Sequence, residues 1–404
     1  MTSPDRLSTR QWRTLTVSVY LPMALSGIGL GAVTPLLSLR ALELGATPAE
    51  AAFVVALLGI GGLLGALPAG VVAGRFGEKR ALVGGLVLDG LLFGSAYAAP
   101  DVRMLGALTL GAGLVSALLI IARQAYVTEY VPFALRARAL STVGGMFRVG
   151  SFVGPLVGAG IVAGLGLAPA FLFAGAMSLV AAALTAVVPD LHTDGAATPS
   201  RGVALAPILR DHARTFATLG LGAAALMLVR SSRDVLIPLW CNAQGLDAAA
   251  TSLIYGLGAG IDLLLFYVGG SLMDRLGRRA VAVPAMLVMG ACFGMLPLTA
   301  SALAIGAASV ALGLGNGISA GVVMTLGSDA SPARGRPQFL AGWRLTTGLG
   351  SALGPVLISA ITAAATLAWA SVAVGAVGLV GAAWLWHWAS PERLRSVADR
   401  VARP

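Results

Sequence analysis

The chain has 404 residues, of which 57% are hydrophobic and 11% charged, with a formal net charge of +10. Soluble domains carry about 25% charged residues, so the composition excludes most soluble enzymes of this length. It also excludes disorder, which needs low hydrophobicity and high charge. The basic excess is arginine apart from Lys79. It raises a nucleic-acid reading that the positions of the arginines must decide.

A transmembrane helix needs about 20 mainly apolar residues. In chain order such stretches fall at 14–39, 48–73, 81–99, 104–127, 139–163 and 167–188. Six more fall at 215–241, 250–273, 280–299, 302–326, 338–361 and 366–388. Most are separated by a charged cluster or a proline. Any one of them could be a buried core helix, but twelve in succession have no polar face to enclose them. The expected organisation is a cytoplasmic tail (1–13), a six-helix bundle (14–189), a cytoplasmic linker (190–214), a second six-helix bundle (215–388) and a cytoplasmic tail (389–404). Arg6, Arg10 and Arg13 precede the first span and no small-residue cleavage site follows, so no cleavable signal peptide is expected.

With the N-terminus inside, the inner segments hold 20 of the 27 basic residues. The outer loops hold only Arg40 and Arg103, and the spans hold Arg123, Arg148, Arg230, Arg233 and Arg344. This is the positive-inside asymmetry. It places both termini in the cytoplasm of an inner- or plasma-membrane protein. The positive charge is an orientation signal, and no nucleic-acid partner is expected.

The two halves repeat at an offset of 200 residues. Gly70, Arg75 and Gly77 answer Gly270, Arg275 and Gly277. Thr128, Glu129, Pro132 and Arg136 answer Ser328, Asp329, Pro332 and Arg336. Gly150, Ser151, Gly154 and Pro155 answer Gly350, Ser351, Gly354 and Pro355. Three clusters in one register imply two bundles of common ancestry, related by an axis along the membrane normal, with a site expected between them.

These residues resemble the major facilitator superfamily of secondary transporters over the whole chain. Its cytoplasmic loop signature, Gly-x3-Asp-Arg-x-Gly-Arg-Arg, is matched from Gly270 through Asp274, Arg275, Gly277, Arg278 and Arg279. The first half matches from Gly70 through Arg75, Gly77 and Arg80, with Gly74 in place of the acid. The resemblance implies a cytoplasmic gate. Arg75 and Arg275 would pair with Glu129 and Asp329, and Asp274 would face the positive N-terminal end of a helix in the other bundle. Gly70 and Gly270 would allow close helix approach. The first-half latch would be the weaker, lacking its acid; alternatively, these loops serve positive-inside topology alone. The fifth span, with Gly150, Gly154 and Pro155, partly resembles the glycine–proline signature of the drug/proton antiporter branch. Its glycines suit tight packing and its proline a kink. Where that branch places a fourth-span arginine, this chain has Ala107, four residues before Gly111.

An ionisable residue inside a span costs about 3 kcal/mol on insertion scales and is a functional candidate by default. The seventh span concentrates Arg230, Arg233 and Asp234, and Asp262 lies near the middle of the eighth. Arg230 can pair with Asp234, four residues on along one helix face, or with Asp262. The family's first, fourth, seventh and tenth spans line its cavity. The resemblance therefore places Arg123, Gln124, Arg230, Arg233, Asp234 and Asn316 on a substrate path. Burial disfavours a charged carboxylate and an adjacent arginine favours it, so Asp262 or Asp234 is the expected proton carrier. The competing reading is a closed charge network that fixes helix register. Asp89, beside Gly90, reads as a packing hydrogen-bond group.

The three histidines have no ligand spacing, the two cysteines specify neither a disulfide framework nor a metal site, and no phosphate-cradling loop exists. No metal, cofactor, ATP use or catalytic constellation is expected. The expectation is an all-α, twelve-helix secondary transporter, acting as a monomer in the bilayer by alternating access. It would export small amphipathic or anionic compounds against protons. An importer of the same fold, or a non-transporting membrane receptor or structural protein, is the alternative.

Overall fold

A computed structural model describes residues 9–188, 205–332 and 335–390, and these are helical apart from turns, with no strand among them. Among the described residues, eleven helices are long and apolar enough to cross a membrane. They are Trp12–Glu43, Pro48–Ala66, Val102–Thr128, Arg138–Leu165, Pro169–Val187, Ala213–Ala243, Ala248–Leu276, Arg278–Leu298, Ala302–Asp329, Arg336–Ala364 and Leu367–Trp388. The third expected span is the 19-residue helix Glu78–Ala96. It opens on Glu78, Lys79 and Arg80 and buries Asp89, so its composition, not its length, sets it apart.

Local chemistry fixes several helix ends. The Thr47 hydroxyl accepts from the Glu50 N–H at 3.3 Å while the Thr47 N–H donates to Glu50 at 2.8 Å. This reciprocal cap starts the second span. Asp101, Ser301 and Thr366 cap the fourth, tenth and twelfth spans through their side-chain oxygens. The glycines of the loop signature have a backbone reason. Gly77 lies at φ +81°, ψ +152° and Gly277 at φ +89°, ψ +165°, a region essentially confined to glycine. Each is the single residue between the end of one span and the start of the next.

The chain divides into two compact units. The first comprises residues 1–195 with Cys241–Ala259, and the second comprises residues 196–240 and 260–404. Within the first unit the first span packs on the fifth, the second on the fourth and the third on the sixth. The same three pairings recur at the 200-residue offset. Gly350 and Gly354 of the eleventh span meet the seventh at Ala224 and Ser231, Gly269 of the eighth meets the tenth at Ile318, and the ninth lies on the twelfth. The repeat also appears in the backbone as five-residue π-helical turns at Thr16–Tyr20 and Phe216–Gly220. No residue signal announces them; such turns are frequent at functional sites.

The packing signature is realised in the fifth span. A β-carbon at Gly150 would stand 2.6 Å from the Ala24 carbonyl oxygen, and one at Gly154 2.5 Å from that of Ile28. In the second half, Gly354 lies against Ser231 and the Leu228 carbonyl. Pro155 and Pro355 both sit inside long helices. Gly70 and Gly270 do not serve as contact glycines: a β-carbon at either would meet nothing within 4 Å. Close approach falls one residue earlier, at Gly269, and on the paired face of Gly61 and Gly113. One residue is a rotation of about 100° on a helix, enough to turn Gly70 and Gly270 away from the seam.

Two further features depart from expectation. Part of the segment taken as linker is helical: Leu205–Asp211 lies against the start of the eleventh span, with Ile208 at Gly335 and Leu209 at Gly342. His212 then meets the Phe339 ring edge-on at 5.4 Å. The tenth span is broken, with Ala302–Ile318 and Val322–Asp329 separated by a turn at 319–321. Its first-half counterpart, Val102–Tyr130, is continuous.

Candidate functional site

The second unit joins three spans through a polar chain near mid-helix. Arg230, on the seventh span, donates from Nε to Oδ1 of Asn316 on the tenth. The Asn316 amide nitrogen in turn donates to Oδ2 of Asp262, on the eighth, at 2.6 Å. Sequence alone left Arg230 to pair with either Asp234 or Asp262, and the structure places Asn316 in hydrogen-bond contact with both Arg230 and Asp262. The orientation of the amide follows from its neighbours, because guanidinium can only donate and carboxylate can only accept. Asp262 is buried and Arg230 and Asn316 are partly buried.

The approach of the helices makes this chain possible. A β-carbon at Gly317 would lie 2.7 Å from the Asp262 carbonyl oxygen, so the eighth and tenth spans nearly touch beside Asn316. Three residues further on, the Ser319 hydroxyl donates to the Gly315 carbonyl at 2.7 Å and the helix breaks. A helix broken beside buried polar groups is characteristic of binding sites in transporters. The sequence signal was the run of Gly313, Gly315 and Gly317, which reads equally well as packing.

Arg233 is buried and its Nε stands 3.9 Å from Oδ1 of Asp234, a loose contact between chain neighbours. Ser231 and Ser232 both donate to the Leu228 carbonyl. Trp240 is anchored through its indole N–H to Thr299.

In the first unit Arg123 is buried on the fourth span, whereas Gln124, its neighbour, is exposed. Arg123 is close enough to Asp89 for the charges to interact. Asp89 accepts a hydrogen bond from the Ser178 hydroxyl of the sixth span at 2.7 Å. Asp89 is thus held by a hydrogen bond, with a cation in range.

At the signature loops, Asp329 pairs with Arg278 through contacts of 2.7 and 3.4 Å, and not with Arg275, which is exposed. Arg278 opens the ninth span immediately after Gly277 and so reaches the end of the tenth. The first-half residue in that register is Glu78, so this ion pair cannot recur there; the Glu129 side chain lies outside the described residues. Arg75, Arg80 and Asp274 are exposed. Arg336 donates to Ser328 and Arg136 to the Val131 carbonyl, tying the following helix back to the end of the preceding one in both halves. Lys79 donates to the Ala186 and Val188 carbonyls, while Arg279 stacks 3.6 Å from the Trp386 ring centre. One cation in each half thereby ties the third or ninth span to the sixth or twelfth. Among the described residues no cluster of side chains could hold a metal.

Two homologous sets of membrane helices, with arginine, amide and carboxylate linked near mid-span, define a polytopic membrane transporter. The chain belongs to the Major Facilitator Superfamily, whose model matches residues 19–335 and 245–403. An MFS-type transporter of Bacillus subtilis (strain 168), YdeG, is 27% identical over 84% of this chain and 83% of its own length. The 4-hydroxybenzoate transporter PcaK of Pseudomonas putida is 31% identical over 44% of this chain and 39% of its own. Multidrug resistance protein 2 of Bacillus subtilis (strain 168) is 26% identical over 43% and 44%. The fold matches a bacterial homolog of the human lysosomal transporter Spinster with a TM-score of 0.78 at 15% identity, covering 99% and 100% of the chains. It also matches the nucleoside transporter NupG, with a TM-score of 0.74 at 13% identity over 92% and 99%.

Proposed function

We propose that this protein is a proton-coupled exporter of small amphipathic compounds with a preference for anionic groups, working by alternating access in the plasma membrane with both termini cytoplasmic. The observation that carries the proposal is the Arg230–Asn316–Asp262 chain. It joins a cation suited to an anionic substrate to a buried carboxylate suited to a proton. Arg233, Asp234, Arg123 and Gln124 complete the proposed substrate path, and Asp234 is the second candidate proton carrier. A charge inside a span is retained at a cost of about 3 kcal/mol, which argues for use. The names of relatives point the same way: two concern multidrug resistance and one concerns an aromatic carboxylate.

The Arg278–Asp329 pair, with Gly277, is the proposed inner gate of the second half, and transport would break it in each cycle. The test is reconstitution into proteoliposomes under an imposed pH gradient, screened with anionic, cationic and neutral compounds including 4-hydroxybenzoate. Gradient-driven movement of anionic compounds, lost in Arg230→Gln and in Arg233→Gln, supports the reading. Properly inserted variants that both transport as well as the parent overturn it. The sign of the gradient that drives accumulation separates export from import.

A further inference from the structure

The seventh-span relay leaves one buried cation of the first unit unexplained. Arg123 is 8% exposed and sits seven residues before the inner end of the fourth span at Tyr130. Among the described residues its guanidinium has neither a hydrogen-bond acceptor nor a carboxylate within ion-pair distance. Its five N–H donors therefore have no protein acceptor among the described residues. The charge facing them is Asp89, also 8% exposed, whose Oδ2 is already held by Ser178.

The surroundings of Asp89 are otherwise apolar. Its helix packs on the second, fourth and sixth spans. The sixth, Pro169–Val187, has no ionisable residue. On the second, Glu50 and Arg75 stand at opposite ends. On the fourth, Arg103 is at the outer end, Tyr126, Glu129 and Tyr130 are at the inner end, and Arg123 alone is a charge near the level of Asp89. Glu78, Lys79 and Arg80 lie at the start of its own helix, about 14–16 Å away at 1.5 Å per residue. Asp89 and Arg123 are thus each other's charge compensation.

We propose that Asp89, Ser178 and Arg123 form a second anion site, in which Arg123 takes a small carboxylate as Asp89 takes up a proton. This rests on the transporter reading only in assigning Arg123 to the substrate path; because anion and proton load together, it favours the proton-coupled importer over the exporter, and the sign of the driving gradient in the transport test decides between them. Its logic is charge conservation in a low-dielectric setting. With Asp89 ionised the pair is neutral, and an added anion leaves a net negative charge that burial penalises. A proton on Oδ1, the oxygen that Ser178 does not hold, restores neutrality. Anion and proton therefore bind together, one for one, and each strengthens the other by linkage. Ser178 selects against premature protonation, since its hydroxyl stabilises the ionised carboxylate.

The experiment is equilibrium binding of benzoate to the purified full-length protein between pH 6 and 9, where benzoate itself stays ionised. A pH electrode follows proton uptake in weak buffer. The expected result is affinity that falls about tenfold per pH unit above the titration of Asp89, with one proton taken up per benzoate bound. Asp89→Asn should bind with no pH dependence and take up no proton. Arg123→Gln should lose at least tenfold in affinity, and Ser178→Ala should extend tight binding to higher pH. Proton uptake unchanged in Asp89→Asn overturns the proposal, as does benzoate affinity unchanged in Arg123→Gln. Arg230→Gln separates the two readings. Loss of binding there with retention in Arg123→Gln leaves the relay standing and defeats this site, and the reverse pattern supports this site against the relay.

Discussion

Gly154 offers the sharpest test of the packing that joins the first and fifth spans. Its substitution by alanine places a β-carbon 2.5 Å from the Ile28 carbonyl oxygen, 2.6 Å from the Ala32 nitrogen and 2.7 Å from the Gly31 carbonyl carbon. All three are backbone atoms, so no side chain can swing aside. Restoring an ordinary contact of 3.4 Å requires the first span to retreat by 0.9 Å along that direction. Overpacking of this kind costs about 1–3 kcal/mol, and a clash with rigid backbone belongs at the upper end. Against it stands about 1 kcal/mol gained by replacing glycine in a helix interior. The net loss is about 2 kcal/mol, or about 4–8 °C in melting temperature for a unit of this size. Gly160→Ala is the matched control on the same helix, because a β-carbon there meets nothing within 4 Å. It should leave the melting temperature unchanged or raise it. Thermal unfolding in detergent, followed by thiol-reactive fluorescence at Cys241 and Cys292, reads both. A Gly154→Ala protein as stable as Gly160→Ala would refute the reasoning.

Gly277→Ala should cost about 1–3 kcal/mol because it forces a side chain into a glycine-only backbone region. Gly270→Ala, with open space around it, should be close to neutral in the same melting assay. The Arg278–Asp329 pair is partly exposed, at 31% and 38%, and its coupling energy in a double-mutant cycle should fall below about 1 kcal/mol. Its removal should change transport rate more than melting temperature, and the opposite ranking would count against a gate. Asn316→Leu removes both hydrogen bonds of the relay, each worth about 0.6 kcal/mol on average in membrane helices. Stability should drop by about 1 kcal/mol while the dependence of transport on pH is lost.

Much of this architecture was legible in the sequence, because a bilayer imposes a length on every apolar stretch and the repeat supplies each half with a check on the other. The glycines at 77, 154, 277 and 354 carried their positions from sequence to structure. What sequence could not resolve was rotation about a helix axis. Gly269 and not Gly270 lies at the seam, Arg278 and not Arg275 reaches Asp329, and Arg123 is buried where Gln124 is exposed. Each is a displacement of one to three residues, which turns a side chain to another face. Partners far apart in sequence were also hidden. Nothing in the neighbourhood of Asp89 points to Ser178, and the choice of Asn316 as intermediary depends on the eighth and tenth spans nearly touching at Gly317. The break after Ile318 had a cue in its glycines, but glycines in a membrane helix signal packing at least as often.

The central claim is that the Arg230–Asn316–Asp262 chain couples an anion to a proton, and Asp262→Asn tests it most directly. The parent and the variant are reconstituted into proteoliposomes and given the best-transported anionic compound under an imposed pH gradient. The account predicts that Asp262→Asn loses gradient-driven accumulation while substrate exchange across the membrane persists. Accumulation in the variant with the same pH dependence as the parent would contradict it.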